Sequence, residues 1–404
     1  MQAMPLDELA REFGTPAYIY SGDAIEAAID SFRRGIGNRK ALICYAMKAN
    51  SNLEVLRLFR ARDCGMDIVS GGELYRALRA GVPAHRIVFS GVGKTEAEMV
   101  EALQAGILLF CCESEAELRT LSRIACDLGT TAPISLRVNP DVDANTHPYI
   151  STGLKDNKFG IPHNRIFDLF REMQLMPGII TKGVGFHIGS QLLDLEGFRS
   201  AARIMRNLVE ELVALAPLEY IDVGGGLGIN YGRENPPDAG DYAHTILSEL
   251  PFEDMTIVFE PGRYMVGNAG VLLTRVLYNK VNQSKRFIIC DAGMNDLIRP
   301  ALYQAYHDFW PLAEMRLERL VRADLVGPVC ESGDFLARDR ELCDFQPGDL
   351  LAVASAGAYS SVMASNYNAR PRPPEVLLSE GRARLVRRRE TYADLIHLEV
   401  PSRD

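Results

Sequence analysis

Eight short runs of apolar and β-branched residues recur along the first part of the chain, and they constrain its fold more than any other feature. Amphipathic stretches typical of helices separate several of them, such as residues 51–61, 72–80 and 95–105. Continuous apolar runs are typical of parallel strands that are buried on both faces. Eight strand–helix units over about 240 residues therefore predict an α/β fold, a (β/α)8 TIM-like barrel. The runs are residues 41–46, 65–69, 86–89, 107–111, 134–138, 183–188, 220–223 and 256–259.

Toward the C-terminus the pattern changes, because strand-like runs continue while clear helices become fewer. The later runs are residues 285–290, 324–329, 349–354 and 375–378. We therefore expect a barrel over residues 26–280 and a mostly β C-terminal domain over residues 281–404. Residues 1–25 are expected to join that β domain through a strand at 16–20. An enlarged barrel loop is expected around residues 150–155.

Composition excludes several classes of protein. The 404 residues carry a formal net charge of −9, which argues against broad nucleic-acid binding. We predict neither a signal peptide nor a membrane span, because no apolar run is long enough. The eight cysteines form no C-x-x-C pair and indicate reduced thiols in a cytoplasmic enzyme. The seven histidines lack zinc-ligand spacing, so no metal site is predicted.

Polar or glycine-rich residues follow most of the predicted barrel strands. In TIM barrels the chemistry lies at the C-terminal ends of the strands, so these positions predict one common site. They are Lys48, Asp67, Ser90, Asn139, His187, Gly224–Gly226 and Glu260–Arg263.

Lys48 and His187 illustrate why each position needs its neighbours for an interpretation. A lone lysine after a strand is usually solvated, but at a barrel mouth with apolar neighbours its amine can attack a carbonyl carbon. His187 at the sixth strand end is either a core histidine or a residue that stacks on an aromatic cofactor.

The last two predicted strands end in motifs with similar alternatives. The glycines at 224–226 let backbone N–H groups approach a phosphate, or they only form a tight turn. A buried glutamate such as Glu260 is costly unless it is paired. Its partner is either Arg263 or the protonated nitrogen of a pyridine ring.

Chemistry-bearing residues also occur in the predicted β domain. Cys330 and Glu331 interrupt an apolar run, Arg299 adds a cation close to Tyr303, and Tyr359 adds a phenol among small residues. Each of them alone is typical of a surface or a turn, and their combination is the informative feature.

Taken together, these motifs resemble the fold-type III pyridoxal-phosphate-dependent enzymes, and among them the diaminopimelate decarboxylase family. The resemblance extends over nearly the whole chain, from Tyr45 to Asn368. It implies that Lys48 carries pyridoxal 5'-phosphate as a Schiff base close to Asp67. It also implies that His187 stacks on the pyridine ring and that Glu260 pairs with the ring nitrogen.

The resemblance also implies the remaining site residues and the partner of the chain. Cys330 would donate a proton and would come from the other subunit of a homodimer that shares its active site. The cofactor phosphate would be bound by Gly224, Gly225, Gly226, Ser190, Gly262, Arg263 and Tyr359. The amino-acid substrate would be bound by Arg263, Arg299, Tyr303, Glu331 and Tyr359.

The implied reaction is the decarboxylation of meso-2,6-diaminopimelate at its D-centre to L-lysine and CO2, the last step of lysine biosynthesis. The far end of this substrate is a zwitterion, which needs cations such as Arg263 and Arg299 and an anion such as Glu331. Charge-assisted bonds of this kind contribute about 1.5–3 kcal/mol each.

Three alternatives remain open at this point. A decarboxylase of ornithine, arginine, lysine or a polyamine precursor would need only the anion. An alanine racemase would face the ring nitrogen with an arginine, so Glu260 argues against it. A non-catalytic pyridoxal-phosphate carrier would lack the second domain.

Overall fold

The structure, a computed structural model, describes residues 4–140, 158–283, 285–312 and 319–400. The loop expected around residues 150–155 lies outside these ranges. The described strands are β1 (Ala17–Ser21), β2 (Ala41–Ala46), β3 (Gly65–Ile68), β4 (Ile87–Phe89), β5 (Leu109–Cys112), β6 (Ala132–Asn139), β7 (Ile161–Pro162), β8 (Ile179–Phe186), β9 (Tyr220–Asp222), β10 (Thr256–Phe259), β11 (Gly270–Asn282), β12 (Lys285–Cys290), β13 (Phe309–Pro311), β14 (Leu320–Val326), β15 (Phe335–Cys343), β16 (Leu350–Val353), β17 (Glu375–Ser379) and β18 (Arg382–Arg387).

The described α-helices alternate with the strands in the first part of the chain. They are α1 (Leu6–Phe13), α2 (Gly22–Ile36), α3 (Leu53–Ala61), α4 (Gly71–Arg79), α5 (Glu96–Ala105), α6 (Glu115–Asp127), α7 (Ile166–Met173), α8 (Glu196–Leu212), α9 (Ala239–Glu249), α10 (Arg263–Val266), α11 (Arg299–Tyr303) and α12 (Tyr392–Ile396).

A closed parallel barrel forms the first compact unit and confirms the predicted fold class. Its strands follow one another in the order β2, β3, β4, β5, β6, β8, β9 and β10, and β10 pairs with β2 to close the ring. The strands β3, β4 and β5 are buried at every position, as continuous apolar runs require. Each predicted run forms a barrel strand, and the runs at 41–46 and 256–259 match β2 and β10 to the residue.

Side-chain caps fix where several barrel helices begin. Asn52, Ser70 and Thr95 each accept a hydrogen bond from a backbone N–H in the first turn of α3, α4 and α5. Thr95 and Glu98 form a full capping box. Such caps satisfy N–H groups that a helix cannot satisfy itself, so these three helices begin at defined positions.

The second compact unit is built on a β-sheet with the strand order β15-β14-β12-β11-β1-β17-β18, in which β16 also pairs with β11 and β13. The early strand β1 lies between β11 and β17. The two units comprise Glu26–Ile229 with Asn235–Met265, and Met1–Ile25 with Asn230–Glu234 and Val266–Asp404.

The division between the units thus falls at Met265 and Val266, ahead of the boundary expected at residue 280. The reason is the pairing of β11, which bonds to β1, β12 and β16. Within the described chain none of these partners is a barrel strand. Among the described helices, none has the length and apolar character that crossing a membrane requires.

Candidate active site

A cavity partly open to solvent lies at the carboxyl ends of the barrel strands, with about 350 Å³ of empty space when the solvent at its mouth is included. Parallel strands bring their carboxyl ends to one side of a barrel, so residues far apart in sequence meet there. The cavity is lined by Lys48, Ser90, Cys111, Ser135, Arg137, Gly185, Phe186, His187, Asp222 and Glu260.

Lys48 and Asp67 form an ion pair at this cavity. The Lys48 Nζ lies 3.3 Å from Asp67 Oδ2, and 40% of the lysine side chain is exposed whereas the aspartate side chain is fully buried. The main chain supports the pair, because the N–H of Met47 donates to the carbonyl of Asp67 at 3.2 Å. The amine is therefore held at the cavity while it stays accessible to a ligand.

Glu260 and Asp222 form a pair of buried carboxyl groups whose pKa values are both raised. Burial, together with the carboxylates of Asp222 and Asp67, raises the pKa of Glu260 well above its usual value, and Lys48 opposes this only in part. Burial also raises the pKa of Asp222 to about 6, although the N–H of Gly224 lowers it. Of the two acids Glu260 therefore holds a proton more readily, as expected when like charges lie close together.

Three further contacts fix this pair. The N–H of Gly224 donates to Asp222 Oδ1 at 2.8 Å, and the thiol of Cys111 donates to Asp222 Oδ2 at 3.6 Å. The hydroxyl of Ser90 lies 3.4 Å from Glu260 Oε1. The acid at the end of β9 thus connects the glycine turn to the acid that follows β10.

His187 contacts the same glycine turn from the end of β8. The N–H of Gly225 donates to its Nδ1 at 3.2 Å, so that nitrogen carries no proton. Burial, with Arg137 and Lys48 nearby, lowers the pKa of His187 well below its usual value. The ring is therefore a neutral imidazole, which can lie against an aromatic ligand without placing a charge there.

The glycines of the turn are required by its backbone. Gly224 and Gly226 have φ angles of +63° and +117°, which side chains with a Cβ rarely adopt. A Cβ on Gly226 would also lie 2.5 Å from the carbonyl oxygen of Gly189. Close by in sequence, Ser190 Oγ lies 3.0 Å from Nη2 of the buried Arg263, which follows Gly262. Glycine N–H groups, a hydroxyl and a guanidinium are the groups that bind phosphate in proteins.

Buried polar atoms that lack a hydrogen-bond partner in the protein indicate where a ligand binds. Among the residues that the structure describes, Asp67 Oδ1, Ser135 Oγ and Arg137 Nη2 are buried without a hydrogen-bond partner. Ser135 and Arg137 line the cavity, and Arg137 is held through its Nη1 by Glu113 at 3.1 Å. Buried orphaned polar groups are rare in native proteins, so these three indicate a polar ligand. They fit the cofactor that the resemblance implies.

Five predicted site residues belong to the other compact unit. Arg299 is the first residue of α11 and is buried, whereas Tyr303, the last residue of that helix, is partly buried. Cys330 and Glu331 are exposed after β14, and the N–H of Cys330 donates to Asn368 Oδ1 at 2.7 Å. Tyr359 is partly buried with a φ of +53°. Their roles remain predictions.

Some lining residues are not found by reasoning from the sequence. Asp222, Cys111, Ser135 and Arg137 were absent from the predicted set, and the sequence signal for three of them is a polar residue inside an apolar run. Asn139, in contrast, follows the predicted pattern but donates to the carbonyl of Phe159 at 3.5 Å and is not a lining residue.

Comparison with known proteins agrees with this geometry. Residues 23–267 match the family described as pyridoxal-dependent decarboxylase, pyridoxal binding domain. The chain is 50% identical to the diaminopimelate decarboxylase of Vibrio cholerae over 400 residues, which cover 98% of this chain and 95% of the relative. It is 50% identical to that of Pseudomonas aeruginosa over 395 residues, with the same coverage of 98% and 95%.

A solved structure extends the comparison to the fold. The chain is similar to the crystal structure of diaminopimelate decarboxylase from Helicobacter pylori complexed with L-lysine, with a TM-score of 0.94 and 46% identity. The match covers 98% of this chain and 99% of that one, so both compact units have counterparts there.

Proposed function

The chain belongs to the diaminopimelate decarboxylase family of pyridoxal-dependent decarboxylases, and from that premise we propose how its residues perform the reaction. The reaction removes one carboxylate of meso-2,6-diaminopimelate, at the D-centre, as CO2 and leaves L-lysine. One observation supports the proposal above the others. Lys48 and Glu260 line one barrel cavity, in which buried polar atoms lack partners among the described residues.

The barrel residues would hold the cofactor, pyridoxal 5'-phosphate. When bound, this cofactor supplies a ring that accepts the electron pair left behind by departing CO2. Lys48 would hold it covalently, and Asp67, at 3.3 Å, would keep the amine in place. The neutral ring of His187 would lie against the pyridine face, and the glycine turn would bind the phosphate with Ser190.

Glu260 can supply the proton that this chemistry requires. Burial and the neighbouring carboxylates raise its pKa and so favour its protonated form, and it could give that proton to a ring nitrogen and pair with it as the carboxylate. Asp222 accepts hydrogen bonds from Gly224 and Cys111 and would help to hold Glu260 in position.

The proposed substrate-binding residues match the charges at the far end of the substrate. The far end carries a carboxylate and an ammonium, so we assign Arg263 and Arg299 to the carboxylate and Glu331 to the ammonium, with Tyr303 and Tyr359 beside them. Removal of CO2 leaves a carbon that must gain a proton. The thiol of Cys330 or the ammonium of Lys48 would donate it, and that group would then regain a proton from solvent, because the reaction consumes one proton for each CO2 released.

A substrate panel tests the proposal. With pyridoxal 5'-phosphate added, we expect CO2 release from meso-diaminopimelate and little from L-lysine, ornithine or arginine. Preference for ornithine, arginine or lysine would favour the alternative of a basic-amino-acid decarboxylase. No release from any of the four would reject the proposal.

We further propose a homodimer in which Cys330 completes the site of the partner subunit. The exposure of Cys330 and Glu331 supports this, since reactive groups on an exposed loop are available to a second chain. A mixture of inactive Lys48→Ala and Cys330→Ala chains should regain part of the activity, because one hybrid site would carry neither change. Absence of any regain would reject the shared site.

All eight cysteines are free thiols, which agrees with a proposed cytoplasmic location.

A further inference from the structure

His307 is fully buried in the second compact unit, and its two ring nitrogens have two different partners. Arg299 Nη1 lies 3.0 Å from its Nε2, and the carbonyl oxygen of Ala354 lies 2.8 Å from its Nδ1. None of the residue assignments that the family resemblance implies includes this histidine.

The two contacts determine the form of the imidazole. A carbonyl oxygen only accepts hydrogen bonds, so Nδ1 must carry the hydrogen. A guanidinium only donates, so Nε2 must be bare and accept. The ring is thus a neutral tautomer whose acceptor points at the Arg299 guanidinium.

The histidine is itself firmly held. Its own carbonyl oxygen accepts a hydrogen bond from Arg340 Nη1 at 3.1 Å, and the N–H of Ala354 donates to the next carbonyl, that of Asp308, at 2.9 Å. Backbone and ring of His307 are therefore fixed against the same strand end, β16. A fixed acceptor can orient a long side chain, whereas a mobile one cannot.

A second contact restrains the face of the guanidinium. The Arg299 Cζ lies 4.5 Å from the centre of the Tyr231 ring, in a cation–π arrangement. The rings of Tyr231 and His307 meet edge to face, with centroids 5.3 Å apart and an angle of 80°. The guanidinium is thus held at one edge by an acceptor and over one face by an aromatic ring.

We propose that His307 is a positioning residue that orients Arg299 for the far carboxylate of the substrate and thereby contributes to the selection of a diamino dicarboxylic acid. The proposal rests on the proposed function, because it needs a substrate with that carboxylate. An arginine that is oriented before binding loses less side-chain freedom when it binds a carboxylate through two hydrogen bonds. His307 therefore acts on affinity for the substrate and leaves the chemistry in the barrel unchanged.

Two amide substitutions separate this role from a merely structural one. In His307→Gln the side-chain oxygen can replace Nε2 and still accept from Arg299. In His307→Asn the amide can replace Nδ1 and still donate to Ala354, but nothing accepts from Arg299. We expect His307→Asn to raise the KM for meso-diaminopimelate about tenfold while kcat changes less than about twofold, and His307→Gln to recover most of the loss.

Three controls complete the experiment. The exposed His85, changed to Asn, reports any effect of the substitution type alone. The affinity for pyridoxal 5'-phosphate should stay the same in all variants. In an Arg299→Met background His307→Asn should add little further increase in KM, since coupled residues are not additive.

The outcomes distinguish the inference from its premise. A wild-type KM in His307→Asn together with a raised KM in His307→Gln would mean that the ring only anchors the chain at Ala354. A wild-type KM in both variants would equally overturn the inference. A wild-type protein that releases no CO2 from meso-diaminopimelate would instead overturn the proposed function.

Discussion

The two compact units carry their candidate functional groups in opposite ways. In the barrel, burial raises the pKa values of Asp222 and Glu260, and the carboxylate of Asp67 raises both further. In the β unit, Cys330 and Glu331 are exposed. Groups that perturb one another are suited to chemistry, whereas an exposed carboxylate such as Glu331 is suited to recognition. Substitutions of Lys48, Asp222 and Glu260 in the barrel should therefore lower kcat, and substitution of Glu331 in the β unit should raise KM.

The largest effect is expected at the amine of the barrel. Lys48→Ala should lower kcat for meso-diaminopimelate by at least about 1000-fold, because no other group replaces a nucleophile that acts covalently. Lys40→Ala is the matched control. Lys40 is exposed just before β2, and its Nζ donates to the carbonyl of Asp254. Turnover of Lys48→Ala close to that of the control would show that the barrel cavity does not hold the reactive amine.

A smaller effect is expected at the paired carboxyl groups. Glu260→Gln should lower kcat by about 100-fold to 1000-fold, because a neutral amide cannot pair with a cationic ring. Asp222→Asn should cost less, about tenfold, since it acts through Glu260 and the Gly224 turn. Steady-state CO2 release at saturating substrate checks both values. A change confined to KM would place these acids in recognition and break the contrast between the units.

The same contrast explains what the sequence could predict. The barrel strands were predictable because apolar runs buried on both faces leave a clear pattern, and Lys48 and Glu260 were predictable because they follow such runs. The strand β15 was not predicted, since its charged residues and partly exposed face show no apolar run. The strand β11 was not among the predicted runs, and most of it fell within the range expected for the barrel, because sequence does not reveal the partners of a strand.

Two functional candidates were invisible for a related reason. Asp222 was not predicted because the glycine turn beside it is the more conspicuous feature of the sequence. The importance of Asp222 comes from its burial close to Glu260. His307 is a lone histidine in sequence, and only the fold brings it to Arg299, eight positions earlier. Burial and contact, on which both depend, are properties of the folded chain.

An effect of intermediate size should separate recognition from chemistry. Glu331→Gln should raise the KM for meso-diaminopimelate about tenfold and leave kcat nearly unchanged, because a neutral amide attracts the far ammonium less strongly. Glu341→Gln, at an exposed position of β15, serves as the control. If Glu331→Gln lowered kcat and left KM alone, Glu331 would act in the chemistry and its assignment to the substrate ammonium would be wrong.

The smallest effect concerns stability and shows that a shifted pKa alone does not mark a catalytic group. Burial raises the pKa of Asp296, in the β unit, to about 7. The native state therefore keeps a proton that the unfolded chain releases above about pH 4, so the free energy of unfolding should fall as the pH rises from 4 to 7. Asp296→Asn should flatten this dependence in denaturant titrations while kcat is unaffected. A slope equal to that of the wild type would reject the assignment.

The central claim is that one barrel lysine holds the cofactor, and chemical trapping tests it most directly. Borohydride treatment of the protein loaded with pyridoxal 5'-phosphate, followed by digestion and mass spectrometry, identifies the modified lysine. We expect the added pyridoxyl mass on the peptide that contains Lys48, and we expect the corresponding peptide of Lys48→Ala to lack it. Modification of another lysine, such as the buried Lys94 that pairs with Glu117, in an active protein would contradict it.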